Sequence, residues 1–413
     1  MNGVRQQLLL IIFAIFIVTL SSSSATVEPL YDPVQEDLEG IWYTENRYFF
    51  IDDTGELTNI EPISREIIHD FGGAFTVNNT NVTGSIYLDH THSGGTRHAH
   101  VINYFGFFVS FNEIDVDWNV PGAGNGFESW KRISYTGSTE QALIDTGNVL
   151  ALAQGFIKSP KLAGDLTLYY LNGNSPNVDA EIEGSCGGNA QLNGTIDLLT
   201  GEFVGTLQYN NYCDAEESGG FSVNGYADFT GKTNLASKTP LYFLYDFVNL
   251  TFVLGDVSFS FTGRRGMNFT VSPRSNLFSY VKKDSCASLS YWVKDYFVRL
   301  TDGSDYVDVM SIIGRYYDPV YGYVEPSVED TIRINDTDEW ASSGKMILAG
   351  AEGVQGGETR IRITYLSATD YLVEADTDGD GAYDDFNSGT LLFSELPSSR
   401  CIRGLPWLML LLD

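Results

Sequence analysis

The feature that most constrains this chain is an alternation of apolar and polar residues with a period of two. Residues 257–262 read Val-Ser-Phe-Ser-Phe-Thr, and residues 203–209 and 359–365 alternate in a similar way. In an extended strand, every second side chain lies on the same face, so this pattern predicts strands with one buried face. Glycine, asparagine or aspartate bounds each stretch, which is typical of turns between antiparallel strands.

The composition agrees with an all-β fold made of antiparallel hairpins and meanders. The 413 residues include 24 Tyr, 25 Phe and 42 Gly but only 12 Pro. Aromatic and β-branched side chains pack well on a pleated sheet, while glycine serves in the turns. We therefore predict two or three sandwich- or barrel-like β regions. One short helix is expected to open at Ser138, because Gln141 follows at the capping-box spacing.

The N-terminus indicates an exported protein. Arg5, the apolar residues 8–20 and the small residues 21–25 follow the order of a secretory signal peptide, which we place at 1–25. The expected location is secreted, periplasmic or on the cell surface of a bacterial envelope. The predicted regions after the signal are an N-terminal β domain at 38–135, a central β-hairpin region at 161–271, a C-terminal β domain at 286–396 and a tail at 397–413.

The net charge of the chain limits the classes of partner that it can bind. Asp and Glu number 54 against 24 Lys and Arg, so the formal net charge is -30. A surface of that sign repels phosphate backbones, and nucleic acid is therefore excluded as an expected partner. The same charge favours cations and solubility.

Two of the four cysteines can be paired from a hairpin pattern. Residues 190–198 and 203–212 read as two strands joined by a turn at 199–202, and Cys186 and Cys213 stand at their outer ends. A one-residue bulge at Gly187-Gly188 would bring the two cysteines into register. We predict this disulfide, which would stabilise the fold by about 3 kcal/mol in the loop-entropy model. The pairing of Cys286 and Cys401 stays open.

The start of the predicted N-terminal domain carries a motif of known barrels. Gly40-Ile41-Trp42, followed by residues 48–55, resembles the opening strands of lipocalin-like barrels, which use Gly-x-Trp in the first strand. The resemblance implies a β-barrel for this part of the chain. A buried Trp beside a β-turn is the simpler interpretation of the same residues.

The most specific motif is an aspartate loop at residues 376–385. It places carboxylates at loop positions one, three, five and nine with Gly at position six, a spacing that wraps oxygen ligands around calcium. Position twelve is Asn387 instead of Glu, and the flanks read as strands. The loop resembles strand-flanked aspartate loops of extracellular bacterial proteins and thrombospondin-type calcium repeats. The candidate calcium ligands are Asp376, Asp378, Asp380, Ala382 (through its carbonyl), Asp384 and Asp385; an acidic turn without an ion is the alternative.

The last quarter of the chain also resembles a group of uncharacterised secreted or periplasmic bacterial β-proteins. The resemblance rests on Ser342-Ser343-Gly344, the strand around Arg360 and residues 371–380. It implies an envelope or extracellular setting and transfers no activity.

All five histidines lie between His69 and His100, and four of them form two His-x-His pairs. A three- or five-residue turn would put all four imidazoles on one face, whereas a two-residue turn at Gly94-Gly95 would split them. On one face they would suit zinc or copper, with Asp89 as an orienting partner. An exposed polar hairpin is the alternative. The four candidate ligands are His90, His92, His98 and His100.

The sequence supports two functions. The first is a calcium-stabilised binding or structural module without catalytic activity, with an extracellular glycan or an envelope protein as partner. The second is a transition-metal-binding protein or metalloenzyme centred on the histidine hairpin. Glu113, Asp115 and Asp117 alternate beside Trp118 and would line one strand face, as in a glycosidase cleft or a solvated strand.

Overall fold

The computed structural model confirms the all-β fold, with two large antiparallel sheets. The chain divides into two compact units, Met1–Arg132 and Ile133–Asp413. The predicted signal peptide, the predicted tail, Cys286 and Cys401 lie outside the described residues. The structure describes residues 33–44, 47–62, 67–91, 96–110, 113–133, 135, 137–157, 177–213, 222–237, 239–254, 257–284, 289–335, 338 and 341–390.

The first unit is an up-and-down meander of eight strands. Consecutive strands pair with one another, and the first strand also pairs with the eighth. A 3-10 helix, Gln35–Leu38, precedes the first strand. The strands are β1 Gly40–Tyr43, β2 Arg47–Ile51, β3 Leu57–Pro62, β4 Ile67–Asn78, β5 Asn81–Thr91, β6 Arg97–Ser110, β7 Glu113–Val120 and β8 Gly124–Ile133.

The two edge strands of this sheet, β3 and β4, meet and nearly close a barrel. Glu56 and Ala74 form an antiparallel bridge, and the Phe75 amide donates to the Gly55 carbonyl at 2.8 Å. Gly55 has a φ of +85°, and a Cβ there would lie 2.2 Å from the Phe75 oxygen. Only glycine fits this approach, because other residues rarely adopt positive φ and have no room here.

The Gly-x-Trp motif lies inside this near-barrel. Trp42 is fully buried, and its indole donates to the Leu38 carbonyl at 2.8 Å. The guanidinium of Arg132, on the last strand, lies 4.3 Å from the Trp42 ring centre. Arg132 also donates to the carbonyls of Glu39 and Asp37, so it links the last strand to the chain entering the first. Trp42 therefore belongs to the core of a nearly closed sheet.

The second unit contains one sheet of fourteen strands in sequential order. Each strand pairs with its neighbours in sequence, which is the meander expected from the hairpin pattern. The strands are β9 Asn177–Glu183, β10 Gly187–Ile196, β11 Glu202–Cys213, β12 Ser222–Asn234, β13 Thr239–Leu254, β14 Val257–Asn268, β15 Arg274–Asp284, β16 Leu289–Asp302, β17 Tyr306–Asp318, β18 Gly322–Asn335, β19 Ser343–Glu352, β20 Glu358–Tyr365, β21 Asp370–Asp376 and β22 Asp384–Thr390.

This sheet continues through Pro273, which lies between the predicted regions 161–271 and 286–396. Pro273 lies between β14 and β15, and these strands pair with each other. The predicted regions 161–271 and 286–396 therefore both contribute strands to one sheet.

The predicted helix at Ser138 is absent, and the helix of this segment is α1, Val149–Ile157. Residues before it run across the second sheet instead. The Ala142 amide donates to the Tyr323 carbonyl, and the Ala142 carbonyl accepts from Ala351, both at 2.8 Å. These bonds to distant strands satisfy the backbone in an extended form, so the local capping-box preference does not decide the structure.

The predicted disulfide between Cys186 and Cys213 is confirmed, with a Cα–Cα distance of 5.1 Å. It joins the outer end of the β10–β11 hairpin. The register shifts beside Gly187, which faces Cys213, while Asn189 faces Asn210. The additional residue is not at Gly187-Gly188, as the sequence predicted, but on the partner strand at Asn211, where φ is +51°.

The core of the second unit is rich in aromatic rings and encloses charged groups. Lys282 is 1% exposed, and its ammonium lies 5.3 Å from the Phe259 ring centre and 5.9 Å from that of Tyr291. Burial lowers the pKa of Lys282 to about 8, and it lowers the pKa of Lys294 to about 8 as well.

Within the described part of the chain, no helix is long and apolar enough to cross a membrane.

Candidate metal site

The aspartate loop connects β21 to β22 and forms a tight hairpin end. Its flanks are strands, as the sequence predicted, with Ala375 facing Asp384 across the hairpin. Asp376 ends β21 and is 2% exposed, whereas Asp380 is exposed. The chain turns at Gly379 and Gly381, whose φ values are +79° and +87°. These left-handed conformations explain why glycine stands at both positions.

Backbone amides of the loop hold the Asp376 carboxylate in place. Gly379 donates to its Oδ1 at 2.7 Å, and Gly381 donates to its Oδ2 at 2.8 Å. The Ala382 amide donates to Asp380 Oδ1 at 2.7 Å. Each carboxylate retains unused lone pairs, because an ionised carboxylate offers about four acceptor positions. The loop therefore fixes the carboxylates without using up their oxygens.

Three carboxylates converge in this loop. One oxygen from each of Asp376, Asp378 and Asp380 can be chosen so that all lie within 4.8 Å of one another. Two oxygens that bind one calcium ion at 2.3–2.6 Å cannot be more than about 5 Å apart. The spacing therefore fits a calcium ion, and oxygen-only ligands are those that calcium and magnesium prefer.

The turn between β19 and β20 packs against the loop and braces it. The Gln355 amide donates to the Asp378 carbonyl at 2.8 Å. A Cβ at Gly379 would lie 2.1 Å from the Gly357 carbonyl oxygen, so the two glycines permit a close backbone approach. This second hairpin was not predicted from the sequence. The glycine-rich stretch at 353–357 indicates a turn, but this stretch is distant from the aspartate loop in sequence.

An arginine at the base of the hairpin is neutralised by its neighbour. Arg362 Nε donates to Glu374 at 2.9 Å, and its guanidinium lies 4.1 Å from the Tyr383 ring centre. The hydrogen bond with Glu374 raises the pKa of Arg362, so the residue stays charged and paired. This pairing limits the repulsion that a nearby cation would exert on a metal ion.

The remaining predicted calcium ligands are not part of the group of three. Ala382 lies in the loop and is exposed, and Asp384 is the first residue of β22 and is exposed. Asp385 faces Glu374 in the register, and its side chain lies outside the described residues. The three converging aspartates are therefore the described part of the site.

The histidine hairpin joins β5 and β6 in the first unit. Thr91 faces Arg97 and His90 faces His98, so the turn has five residues, and His92 lies outside the described residues. The odd turn length puts His90, His98 and His100 on one face, as one of the two sequence alternatives predicted. The ring centre of His90 lies 5.2 Å from that of His100 and 6.3 Å from that of His98.

The environment of these imidazoles changes from buried to exposed. His90 is 1% exposed, His100 is half-buried and His98 is exposed. Asp89, expected as their orienting partner, instead binds Arg97, whose Nε lies 2.8 Å from its Oδ1. This hydrogen bond holds the pKa of Asp89 below its usual range. Among the described residues, the histidines do not form a group of three ligand nitrogens within 4.8 Å.

Comparisons with protein-family models, curated proteins and solved structures found no match to this chain.

Proposed function

We propose that this chain is an exported, calcium-stabilised β-protein that acts as a binding or structural module of the cell envelope or extracellular space. The observation that carries the proposal is the convergence of Asp376, Asp378 and Asp380 in a strand-flanked loop. The Cys186–Cys213 disulfide supports an oxidising compartment, where such bonds persist. An extracellular glycan or an envelope protein is the proposed partner.

In this proposal calcium acts on stability instead of signalling. The loop joins the last two strands of the second sheet, and it contacts the β19–β20 turn through Gln355 and Gly357. Three carboxylates in one turn repel one another, and an ion between them removes this repulsion. Binding of the ion therefore couples the last two hairpins of the sheet.

Calcium should raise the stability of the second unit, and Asp376→Asn/Asp378→Asn should abolish this effect. At calcium concentrations about 100-fold above Kd, the gain is about 2.7 kcal/mol, because the ion binds the folded loop and not the unfolded chain. Isothermal titration calorimetry measures the affinity for calcium, and thermal unfolding with and without calcium measures the gain in stability. We expect the double variant to bind at least about 100-fold more weakly, because two anionic ligands are lost.

Asp305→Asn is the matched control for this experiment. Asp305 is an exposed carboxylate in another hairpin turn of the same sheet, between β16 and β17. Its substitution should leave the calcium response unchanged. A calcium response that is absent from the native protein, or that survives in the double variant, would disprove the calcium site.

A second candidate function is transition-metal binding by the histidine hairpin, favoured by the common face of His90, His98 and His100. Zinc or copper suits neutral imidazole ligands. Protein exported to a periplasm and purified without an affinity tag should then contain one equivalent of metal by elemental analysis. His98→Ala/His100→Ala should lose it, while His69→Ala, at an exposed histidine of β4, should retain it. Metal-free native protein would rule out this function.

A further inference from the structure

The outer wall of the first unit carries an apolar stripe along β6, which Asn103 interrupts. Residues of this strand alternate between buried and exposed from position 101 to position 109. Isolated apolar residues are normal on protein surfaces, but contiguous exposed patches mark sites of interaction. At about 3.4 Å per residue, these nine positions span about 27 Å. The outward apolar side chains are Val101, Phe105, Phe107 and Val109, which are 43%, 55%, 48% and 47% exposed.

The strand register places carboxylates directly within this stripe. Phe105 on β6 faces Asp117 on β7, and Asp117 in turn faces Phe127 on β8. Phe127 is 63% exposed, so the row is aromatic, acidic and aromatic across three strands. Directly opposed residues have Cβ atoms about 5 Å apart, which keeps both rings beside the carboxylate. In the next row, Phe107 faces Asp115.

These carboxylates are available to a partner. Neither Asp115 nor Asp117 forms an ion pair within the part of the chain that the structure describes. Glu113, the third acidic residue on this face of β7, faces Lys131 and accepts a hydrogen bond from Ser129 at 2.9 Å. The two unpaired positions are therefore those flanked by phenylalanine.

A carboxylate between exposed aromatic rings favours a cation with an apolar body. Lysine and arginine gain an ion pair with the carboxylate and a cation–π contact with a ring, and their aliphatic stems cover apolar surface. The other apolar residues of the stripe would be covered by apolar side chains of the same partner. The length of the stripe exceeds that of a small ligand and fits an extended or helical protein segment.

The charges argue against two other occupants. A second copy of this chain would place the same carboxylates opposite each other, and both copies carry a net charge of -30. A lipid surface would have to bury Asp115 and Asp117 in an apolar layer, and burying an unpaired carboxylate is costly. A basic partner avoids both penalties.

We propose that the outer face of β6, β7 and β8 binds a basic amphipathic protein segment that alternates Lys or Arg with large apolar residues. The segment's cations lie at Asp115 and Asp117, and its apolar side chains cover Phe105, Phe107 and Phe127. This site is separate from the aspartate loop and does not depend on calcium, so the two proposals can fail independently.

The test uses the full chain and a synthetic peptide of alternating lysine and leucine, measured by fluorescence anisotropy. The native protein should bind this peptide and should not bind a peptide of alternating glutamate and leucine. Asp115→Asn/Asp117→Asn and Phe105→Ser/Phe127→Ser should each weaken binding at least tenfold. Because all four side chains point outward, circular dichroism should show that both variants remain folded.

The control separates this site from general attraction to an acidic protein. Asp179→Asn/Glu183→Gln removes the same charge from exposed positions of β9, where Asp179 and Glu183 face Asn193 and Asn189 instead of aromatic rings. Its binding should stay within twofold of the native protein. Equal losses in this control and in the aspartate variant would overturn the proposal.

Two further measurements address the other occupants. Light scattering at rising protein concentration should show the same association state for the native protein and for Phe105→Ser/Phe127→Ser. Binding to phosphatidylcholine vesicles should likewise not differ between these two proteins. Self-association that the variant loses would assign the stripe to a second copy, and vesicle binding that the variant loses would assign it to a membrane; each outcome would overturn the proposed basic partner.

Discussion

Replacing Trp130 with alanine should lower the free energy of unfolding of the first unit by about 4 kcal/mol. Trp130 is fully buried in the near-barrel, and its ring centre lies 4.8 Å from that of Phe49, 5.1 Å from that of Phe75 and 5.2 Å from that of Tyr104. Its indole also donates to Glu128 at 2.7 Å, and the substitution removes this bond. Urea unfolding followed by circular dichroism measures the change.

Phe127→Ala is the matched control on the same strand. Phe127 is 63% exposed, so its removal leaves no cavity and should change stability by less than about 0.5 kcal/mol. Similar effects of the two substitutions would contradict the assignment of Trp130 to the centre of the barrel core and Phe127 to its outer wall.

The second unit should lose stability steeply above about pH 10. Burial raises the pKa of Tyr280, Tyr296, Tyr316 and Tyr365 in its core. A phenol with a raised pKa in the folded state stabilises the fold fully below its ordinary pKa, and this contribution is lost as the pH rises further. Each such group contributes about 1.4 kcal/mol per pH unit, so four of them give roughly 5 kcal/mol per pH unit.

The buried lysines act in the opposite direction at lower pH. Lys282 and Lys294 have pKa values of about 8 in the folded protein, so the unfolded chain binds more protons between about pH 8 and 10. Stability should therefore rise across this range before it falls. Urea unfolding at a series of pH values, with phenolate absorbance as the second signal, should show a maximum of the free energy of unfolding at about pH 10.

Tyr280→Phe provides the variant for this prediction. The Tyr280 hydroxyl is buried without a hydrogen-bond partner among the described residues, so its removal should cost no stability at neutral pH. It should reduce the alkaline slope by about 1.4 kcal/mol per pH unit. Tyr242→Phe, at an exposed position, controls for the loss of one tyrosine from the absorbance signal. An alkaline slope that is equal in native protein and Tyr280→Phe would contradict the prediction.

The candidate site was predictable from sequence because its parts are neighbours in the chain. The spacing of Asp376, Asp378 and Asp380 around Gly379 and Gly381 fixes a tight turn with converging carboxylates, since the ligands and the turn lie within one short segment. The turn at 353–357 that supports the loop was not predictable, because its contact depends on how β19 and β20 pair. The burial of Asp376 likewise follows from the whole sheet.

The histidine hairpin shows the limit of local reasoning. The two His-x-His pairs fix which residues share a face of each strand, but only the length of the turn decides whether both pairs face the same side. Asp89 illustrates the same limit, because its binding to Arg97 depends on the register that the five-residue turn sets.

The sequence by itself determined the strands, the Cys186–Cys213 pair and the aspartate loop, because side-chain alternation and turn preference act over a few residues. Only the tertiary structure decided how the strands combine. The near-closure between Glu56 and Ala74 and the extended path of Ala142 both depend on backbone hydrogen bonds to residues distant in sequence. A periodic pattern says which face of a strand is buried, but it does not say which strands meet there.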